Sequence, residues 1–203
     1  MRRVLIATSN QGKLRDFAAA AAAYGIAIAP VPAFDELPGV VEDGATFEAN
    51  ARKKAEHYSR HVPGELVLAD DSGLAVDALG GDPGVRSARY AAGGEEENSS
   101  DAANNARLLR EMESVENGRR TAQFVCVIAA ARDGRTVATF RGQAQGRLLR
   151  HPRGSGGFGY DPLFYFASLG KTFAELTPEE KSAVSHRGAA FRKFLEWHRS
   201  TAT

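Results

Sequence analysis

The chain has 203 residues, enough to bury one substantial core, and its charges nearly cancel: 26 Lys and Arg against 25 Asp and Glu, net +1. That balance argues against a nucleic-acid polymer or another long polyanion as partner, and leaves open a small anion gripped by a few local cations. Cys126 is the only cysteine and sits in an apolar run, which excludes disulfides and Cys-based metal sites and fits a reducing, cytoplasmic compartment. The apolar run at residues 4–7 is too short for a signal-peptide core, and no stretch is long enough to span a bilayer, so no membrane partner is expected.

In chain order, Arg3-Val4-Leu5-Ile6-Ala7-Thr8 reads as a β-branched first strand, and Ser9-Asn10-Gln11-Gly12-Lys13 as the turn after it. A helix follows through Asp16, Phe17 and the alanines at 18–23, alanine being the best helix former. Strand, polar glycine-containing loop and helix is the arrangement that presents backbone N–H groups to a phosphate. Lys13 at the helix start opposes the macrodipole, a conflict that a bound polyphosphate would remove; read locally, it is equally a solvated surface lysine.

Residues 26–29 form a short second strand, and residues 30–38, rich in proline, a loop. Glu42 lies in the segment before the next helix, where Thr46 is the expected N-cap and Phe47, Ala51, Ala55 and Tyr58 recur at helical spacing. Pro63-Gly64 ends that unit. Leu66-Val67-Leu68-Ala69 then reads as a buried strand that breaks at Asp70-Asp71-Ser72-Gly73. Two adjacent carboxylates at a strand end suit a site for Mg²⁺, which is held by carboxylates together with phosphate oxygens. The same four residues also fit a solvated turn.

Residues 93–100 form a polar, acidic surface loop, and residues 101–112 a helix with Ala106, Leu108, Leu109 and Met112 on one face. Two long apolar runs, 121–131 and 136–149, are separated by Asp133-Gly134, a strong hairpin signal. Antiparallel strands mixed with strand–loop–helix units give an α/β mixed sheet; with no long linker and no repeat, residues 1–203 are read as a single domain. The glycines of Gly154-Ser155-Gly156-Gly157-Phe158-Gly159-Tyr160-Asp161-Pro162 allow close backbone approach to a ligand, and Phe158 and Tyr160 offer flat faces for a base. A tight loop with core aromatics would read the same way. Gly170-Lys171-Thr172 resembles the end of a P-loop, but Tyr165 stands where that motif needs glycine, so it is rejected. Thr177-Pro178-Glu179-Glu180-Lys181 opens a helix with a reciprocal cap, and the chain interrupts itself at Ser185-His186-Arg187-Gly188 before resuming with Phe191, Phe194, Leu195 and His198 on one side. The break is either a connector or a cluster of three hydrogen-bond donors able to read a purine 6-oxo group.

Five stretches together resemble one family, the inosine triphosphate/xanthosine triphosphate pyrophosphatases. They are Thr8-Ser9-Asn10-Gln11-Gly12-Lys13, Asp70-Asp71-Ser72-Gly73-Leu74, Gly80-Gly81-Asp82-Pro83-Gly84 with Ser87-Ala88-Arg89-Tyr90, Gly156 through Pro162, and Glu175-Leu176-Thr177 through Lys181 to Ser185-His186-Arg187. The resemblance implies an α/β fold with a long central mixed sheet, flanking helices and two lobes around an active-site cleft, assembled as a homodimer. It implies Mg²⁺-dependent hydrolysis of purine nucleoside triphosphates such as ITP, dITP and XTP to the monophosphate and pyrophosphate, cleansing the nucleotide pool. By the same resemblance Thr8, Ser9, Asn10, Gln11, Gly12 and Lys13 hold the triphosphate, Glu42 and Asp71 serve the metal, and Asp71 is the general base. Ser72 contacts substrate, and Phe158, Gly159, Tyr160, Asp161, Lys181, His186 and Arg187 bind the nucleotide. Two rivals are a pyrophosphatase for modified pyrimidine nucleotides, opposed by the Ser-His-Arg stretch, and a nucleotide-sensing module without turnover, opposed by Asp70, Asp71 and Glu42.

Overall fold

The computed structural model describes residues 3–22, 24–92 and 98–201. Among them, seven strands form one sheet in the order β2-β1-β3-β4-β5-β6-β7. The strands are β1 (Arg3–Ile6), β2 (Ala27–Pro30), β3 (Val67–Val76), β4 (Thr121–Arg132), β5 (Arg135–Leu148), β6 (Phe164–Phe166) and β7 (Lys171–Thr172). The helices are α1 (Gln11–Ala22), α2 (Phe47–Ser59), α3 (Asp101–Glu111), α4 (Pro178–Val184) and α5 (His186–Ser200). β1 pairs in parallel with β2 and β3, whereas β5 with β6 and β6 with β7 are antiparallel, so the sheet is mixed. The expected α/β architecture is therefore present. No helix among the described residues is long and apolar enough to cross a membrane. Ala23 of the expected first helix and residues 93–97 of the expected acidic loop lie outside the described residues.

The chain forms two compact units, each built from separated segments: residues 1–72, 126–143 and 182–203 in the first, and 73–125 and 144–181 in the second. In the first unit the strand alternation sorts side chains onto two faces. Val4, Ile6, Leu68, Cys126, Ile128 and Ala130 pack with Phe17 of α1 and Phe191, Phe194 and Leu195 of α5. Leu5, Ala7, Val67, Ala69, Val127 and Ala129 pack instead with Ala51, Ala55 and Tyr58 of α2. In the second unit Phe124, Phe164 and Phe173 form an aromatic cluster with centroids 4.6–5.7 Å apart.

Caps and turns follow the sequence at several points. Thr46 accepts the Ala49 N–H at 3.1 Å, and Ser100 accepts that of Ala103 at 3.2 Å to open α3, so the Asn98-Ser99-Ser100 stretch is a helix cap as well as a loop. Thr177 and Glu180 make the expected reciprocal cap, with bonds of 3.2 and 2.9 Å. Asp133 and Gly134 have φ of 50° and 77°, the two positive values a type I′ hairpin turn requires.

Four expectations are corrected. β3 does not break at Asp70 but runs through it to Val76, because each acid has cationic or amide partners that make burial tolerable. Gln11, Gly12 and Lys13 belong to the first turn of α1 rather than to the turn before it, with Asn10 Oδ1 accepting the Lys13 N–H at 3.0 Å. The break between α4 and α5 is Ser185 alone, extended at φ −75° and ψ 156°; His186, Arg187 and Gly188 already belong to α5. On α3, Ala106 is exposed and Asn104 takes the buried place, its amide donating to Ala88 O at 3.1 Å and accepting from Ala91 N at 2.8 Å.

Candidate active site

Because alternate residues of a strand face opposite ways, Asp70 continues the Leu66-Leu68 face toward α1 and α5, and Asp71 continues the Val67-Ala69 face toward α2. Asp70 is 2% exposed. Its Oδ1 lies 3.1 Å from Lys13 Nζ, and its Oδ2 3.4 Å from Arg187 Nη2. Arg187 also bonds Asp16 at 2.7 Å through Nη1 and the Ser72 hydroxyl at 2.9 Å through Nη2, while that hydroxyl donates to Asp70 at 3.2 Å. Burial alone would push the Asp70 carboxyl up; Lys13 and Arg187, with Lys54, more than reverse this and hold it well below the usual carboxylate range.

Asp71 has different company. Asn50 Nδ2 donates to its Oδ2 at 3.1 Å, and Lys54 Nζ lies 3.7 Å from its Oδ1. The Lys54 ammonium is bonded at 2.6 Å to Glu42 Oε2, so Glu42 and Asp71 converge on one cation. Burial pushes Lys54 down, but the carboxylates of Asp71, Glu42 and Asp70 outweigh it and keep the ammonium above its ordinary value. Asp71 itself is pushed up by burial, aided by Glu42 and opposed by Lys54, Lys13 and the Asn50 amide. A carboxylate raised in this way is a better proton acceptor than a free one.

Two hard oxygen donors already sharing a cation fit the donor set of Mg²⁺, which takes one or two carboxylates and completes its octahedron with phosphate oxygens and water. Among the described residues no group of three or more His, Cys, Asp or Glu is placed to hold a metal ion. Ser9, Asn10 and Gln11 are exposed where β1 hands over to α1, Thr8 is half-buried with its hydroxyl accepting the Asn10 N–H at 3.2 Å, and Gly12 is buried. This is a helix N-terminus open to an anion, with Lys13 beside it.

The second unit carries the glycine-rich stretch. Lys181 Nζ is 2.6 Å from Asp161 Oδ2 and 4.7 Å from the Phe158 ring centroid, and Asp161 Oδ2 accepts the Phe158 N–H at 2.9 Å. Gly159 is held at both backbone groups by α3: its N–H donates to Asp101 at 2.7 Å and its carbonyl accepts from Asn105 at 2.8 Å. A Cβ at Gly157 would fall 2.1 Å from Asp161 Oδ2, which explains that glycine. Phe158 is half-buried, whereas Tyr160 is 4% exposed with its hydroxyl on Ser87 O at 2.8 Å. Tyr160 is therefore a buried post and not the flat face expected of it.

Of the Ser-His-Arg stretch, the Arg187 donors are engaged within the first unit. Ser185 Oγ accepts the Gly188 N–H at 3.0 Å to cap α5, and Arg187, 1% exposed, serves Asp16, Asp70 and Ser72. Asn50, Lys54, Asp16, Asp101 and Asn105 were not singled out from the sequence. Asn50 and Lys54 could have been, since on α2 each lies one position before a residue of the apolar stripe, Ala51 and Ala55.

The profile of the Ham1 family matches residues 4–197. A dITP/XTP pyrophosphatase from Geobacillus kaustophilus is 50% identical over 196 residues, covering 97% of this chain and 94% of that protein. One from Geobacter sulfurreducens is 52% identical over 190 residues, covering 94% and 93%. The structure of a HAM1 protein from Coxiella burnetii superposes with a TM-score of 0.84 at 37% identity, covering 98% of this chain and all of that one. With a sheet of the same kind and near-complete coverage in sequence and structure, the chain belongs to the Ham1 family.

Proposed function

We propose that this protein hydrolyses ITP, dITP and XTP to the nucleoside monophosphate and pyrophosphate. The observation that carries the reading is the buried Asp71 carboxylate, sharing the Lys54 ammonium with Glu42. Close relatives named dITP/XTP pyrophosphatase supply the substrate class.

Hydrolysis of a phosphoanhydride needs charge neutralisation and an aligned water more than covalent chemistry. Lys13 and the N-terminus of α1, with Thr8, Ser9, Asn10, Gln11 and Gly12, take the triphosphate oxygens. Glu42 and Asp71 are the residues that would hold Mg²⁺, which supplies charge neutralisation on those oxygens when bound. Asp71 accepts the proton of the attacking water. The water oxygen bonds to a phosphorus of the α–β linkage, the bond from that phosphorus to the bridging oxygen breaks, and the nucleoside monophosphate and pyrophosphate separate. Ser72, its hydroxyl held between Arg187 and Asp70, is a further proposed substrate contact. For the nucleoside, the proposed contacts are His186 at the start of α5 and, in the second unit, Phe158, Gly159, Asp161 and Lys181, with the buried Arg187 and Tyr160 supporting them. The protein works on free nucleotides as a cytoplasmic homodimer in this reading.

Incubation with ITP, XTP, GTP and ATP in Mg²⁺, with pyrophosphate and orthophosphate measured separately, tests it. Pyrophosphate from ITP and XTP, with little from GTP and less from ATP, is expected. Orthophosphate as the main product, or equal turnover of ATP, would sink the proposal.

A further inference from the structure

Asn50 is fully buried on α2, and its amide is used at both ends. Nδ2 donates to Asp71 Oδ2 at 3.1 Å and lies 3.5 Å from Gly44 O, while Oδ1 accepts the Gly44 N–H at 2.7 Å. Gly44 stands two residues after Glu42. A Cβ at Gly44 would meet Asn50 Oδ1 at 2.6 Å and Ala49 Cβ at 2.9 Å, so the segment carrying Glu42 lies this close to α2 only because residue 44 is glycine. One side chain thus ties the strand of Asp71 to the loop of Glu42.

Lys54 touches the same two carboxylates, but a point charge on a four-carbon stem does not fix their direction. The planar Asn amide, with donor and acceptor in set places, does. A cation-holding pair needs its oxygens placed to within roughly 0.5 Å. We propose that Asn50 is a positioning residue that sets the spacing and orientation of Glu42 and Asp71, and thereby the capture of a divalent cation together with nucleotide. This rests on the reading of Glu42 and Asp71 as the cation-holding pair; Asn50 itself touches neither substrate nor metal.

The test is calorimetric binding of inosine 5′-(α,β-imido)triphosphate, which resists cleavage at the scissile bond, with and without Mg²⁺. It uses the wild type, Asn50→Ala and Gly44→Ala. The glycine variant keeps the amide and disturbs its fit to the loop, together with the loop's contact on Ala49, at a backbone angle open to alanine. Mg²⁺ should tighten analogue binding by the wild type, and both variants should lose at least about fivefold of that tightening, as expected when the partner of a metal ligand is removed. Affinity without Mg²⁺ should stay within about threefold, while in Mg²⁺ KM for ITP should rise with the lost tightening and kcat should fall about tenfold. Full Mg²⁺ tightening and normal kcat in either folded variant would make Asn50 a structural residue only. No tightening in the wild type would refute the cation-holding reading itself, and this inference with it.

Discussion

Asp70 and Asp71 are consecutive residues of one strand that serve opposite faces of the sheet: Asp70 meets Lys13 and Arg187 of α1 and α5, and Asp71 meets Asn50 and Lys54 of α2. The two carboxylates do not form a single acidic pair around one ion. Asp70 is a fully compensated charge that holds two helices to β3, and Asp71 is the acid left with a raised proton affinity. The division of labour follows from strand geometry alone.

Removing Arg187 should therefore damage the fold first. In Arg187→Ala the buried Asp70 loses a cation and Asp16 loses one of its contacts. A loss of about 3–5 kcal/mol is expected, the usual cost of leaving a buried charge uncompensated. Urea denaturation of the two proteins measures it, and a loss below about 1 kcal/mol, the scale of a surface pair, would show the cluster to be solvated.

Lys13 gives a sharper test of sequence-level reasoning. From the macrodipole alone, Lys13→Ala should weaken nucleotide binding and leave stability unchanged or slightly raised. With Lys13 on the buried Asp70, the variant should instead lose about 1–3 kcal/mol as well as raising KM for ITP. Thermal melting without nucleotide separates the two, since only the ion pair predicts a lower Tm.

Gly142 of β5 is where α5 comes against the sheet. A Cβ there would lie 2.1 Å from His186 O and 2.4 Å from Ala190 N, both backbone atoms that cannot swing away. Gly142→Ala should displace the first turn of α5, lowering stability by about 1–3 kcal/mol, as overpacking does. ITP turnover should fall with it, because His186 and Arg187 ride on that turn. A fully stable, fully active Gly142→Ala protein would show that the turn has room to spare.

These cases show which parts of the molecule could be read from residues alone. Helix caps at Thr46 and Thr177 and the Asp133-Gly134 hairpin are local chemistry, and they are found where expected. The path of β3 was not legible, because two acids and a glycine look like a turn until their partners, far along the chain, are known. Asp70 and Arg187 are separated by 117 positions, and nothing in either segment announces the pair. Gly142 did carry a signal, since a glycine inside a strand often marks close backbone approach. Of the residues named from the family resemblance, Arg187 meets Ser72, and Glu42 and Asp71 share the Lys54 ammonium, while the supporting Asn50 and Lys54 emerge only from the packing of α2.

Cys126 offers a check on burial in the same cluster. Burial, with Asp70 nearby, raises its thiol far above the ordinary range, so at pH 8 the native protein holds almost no thiolate. Treatment with a disulfide reagent at that pH should label the native protein very slowly and the guanidinium-unfolded protein at once. Rapid native labelling would mean that β4 opens readily at this point.

The central claim, that Asp71 takes the proton of the attacking water while Asp70 holds the fold, is tested most directly by the pyrophosphate yield from ITP with Asp71→Asn. The substitution keeps the shape and removes the charge. Turnover should fall on the order of 10² or more, as for loss of a general base, with Tm within a few degrees of the wild type. Near-normal turnover in a correctly folded Asp71→Asn protein would contradict the account.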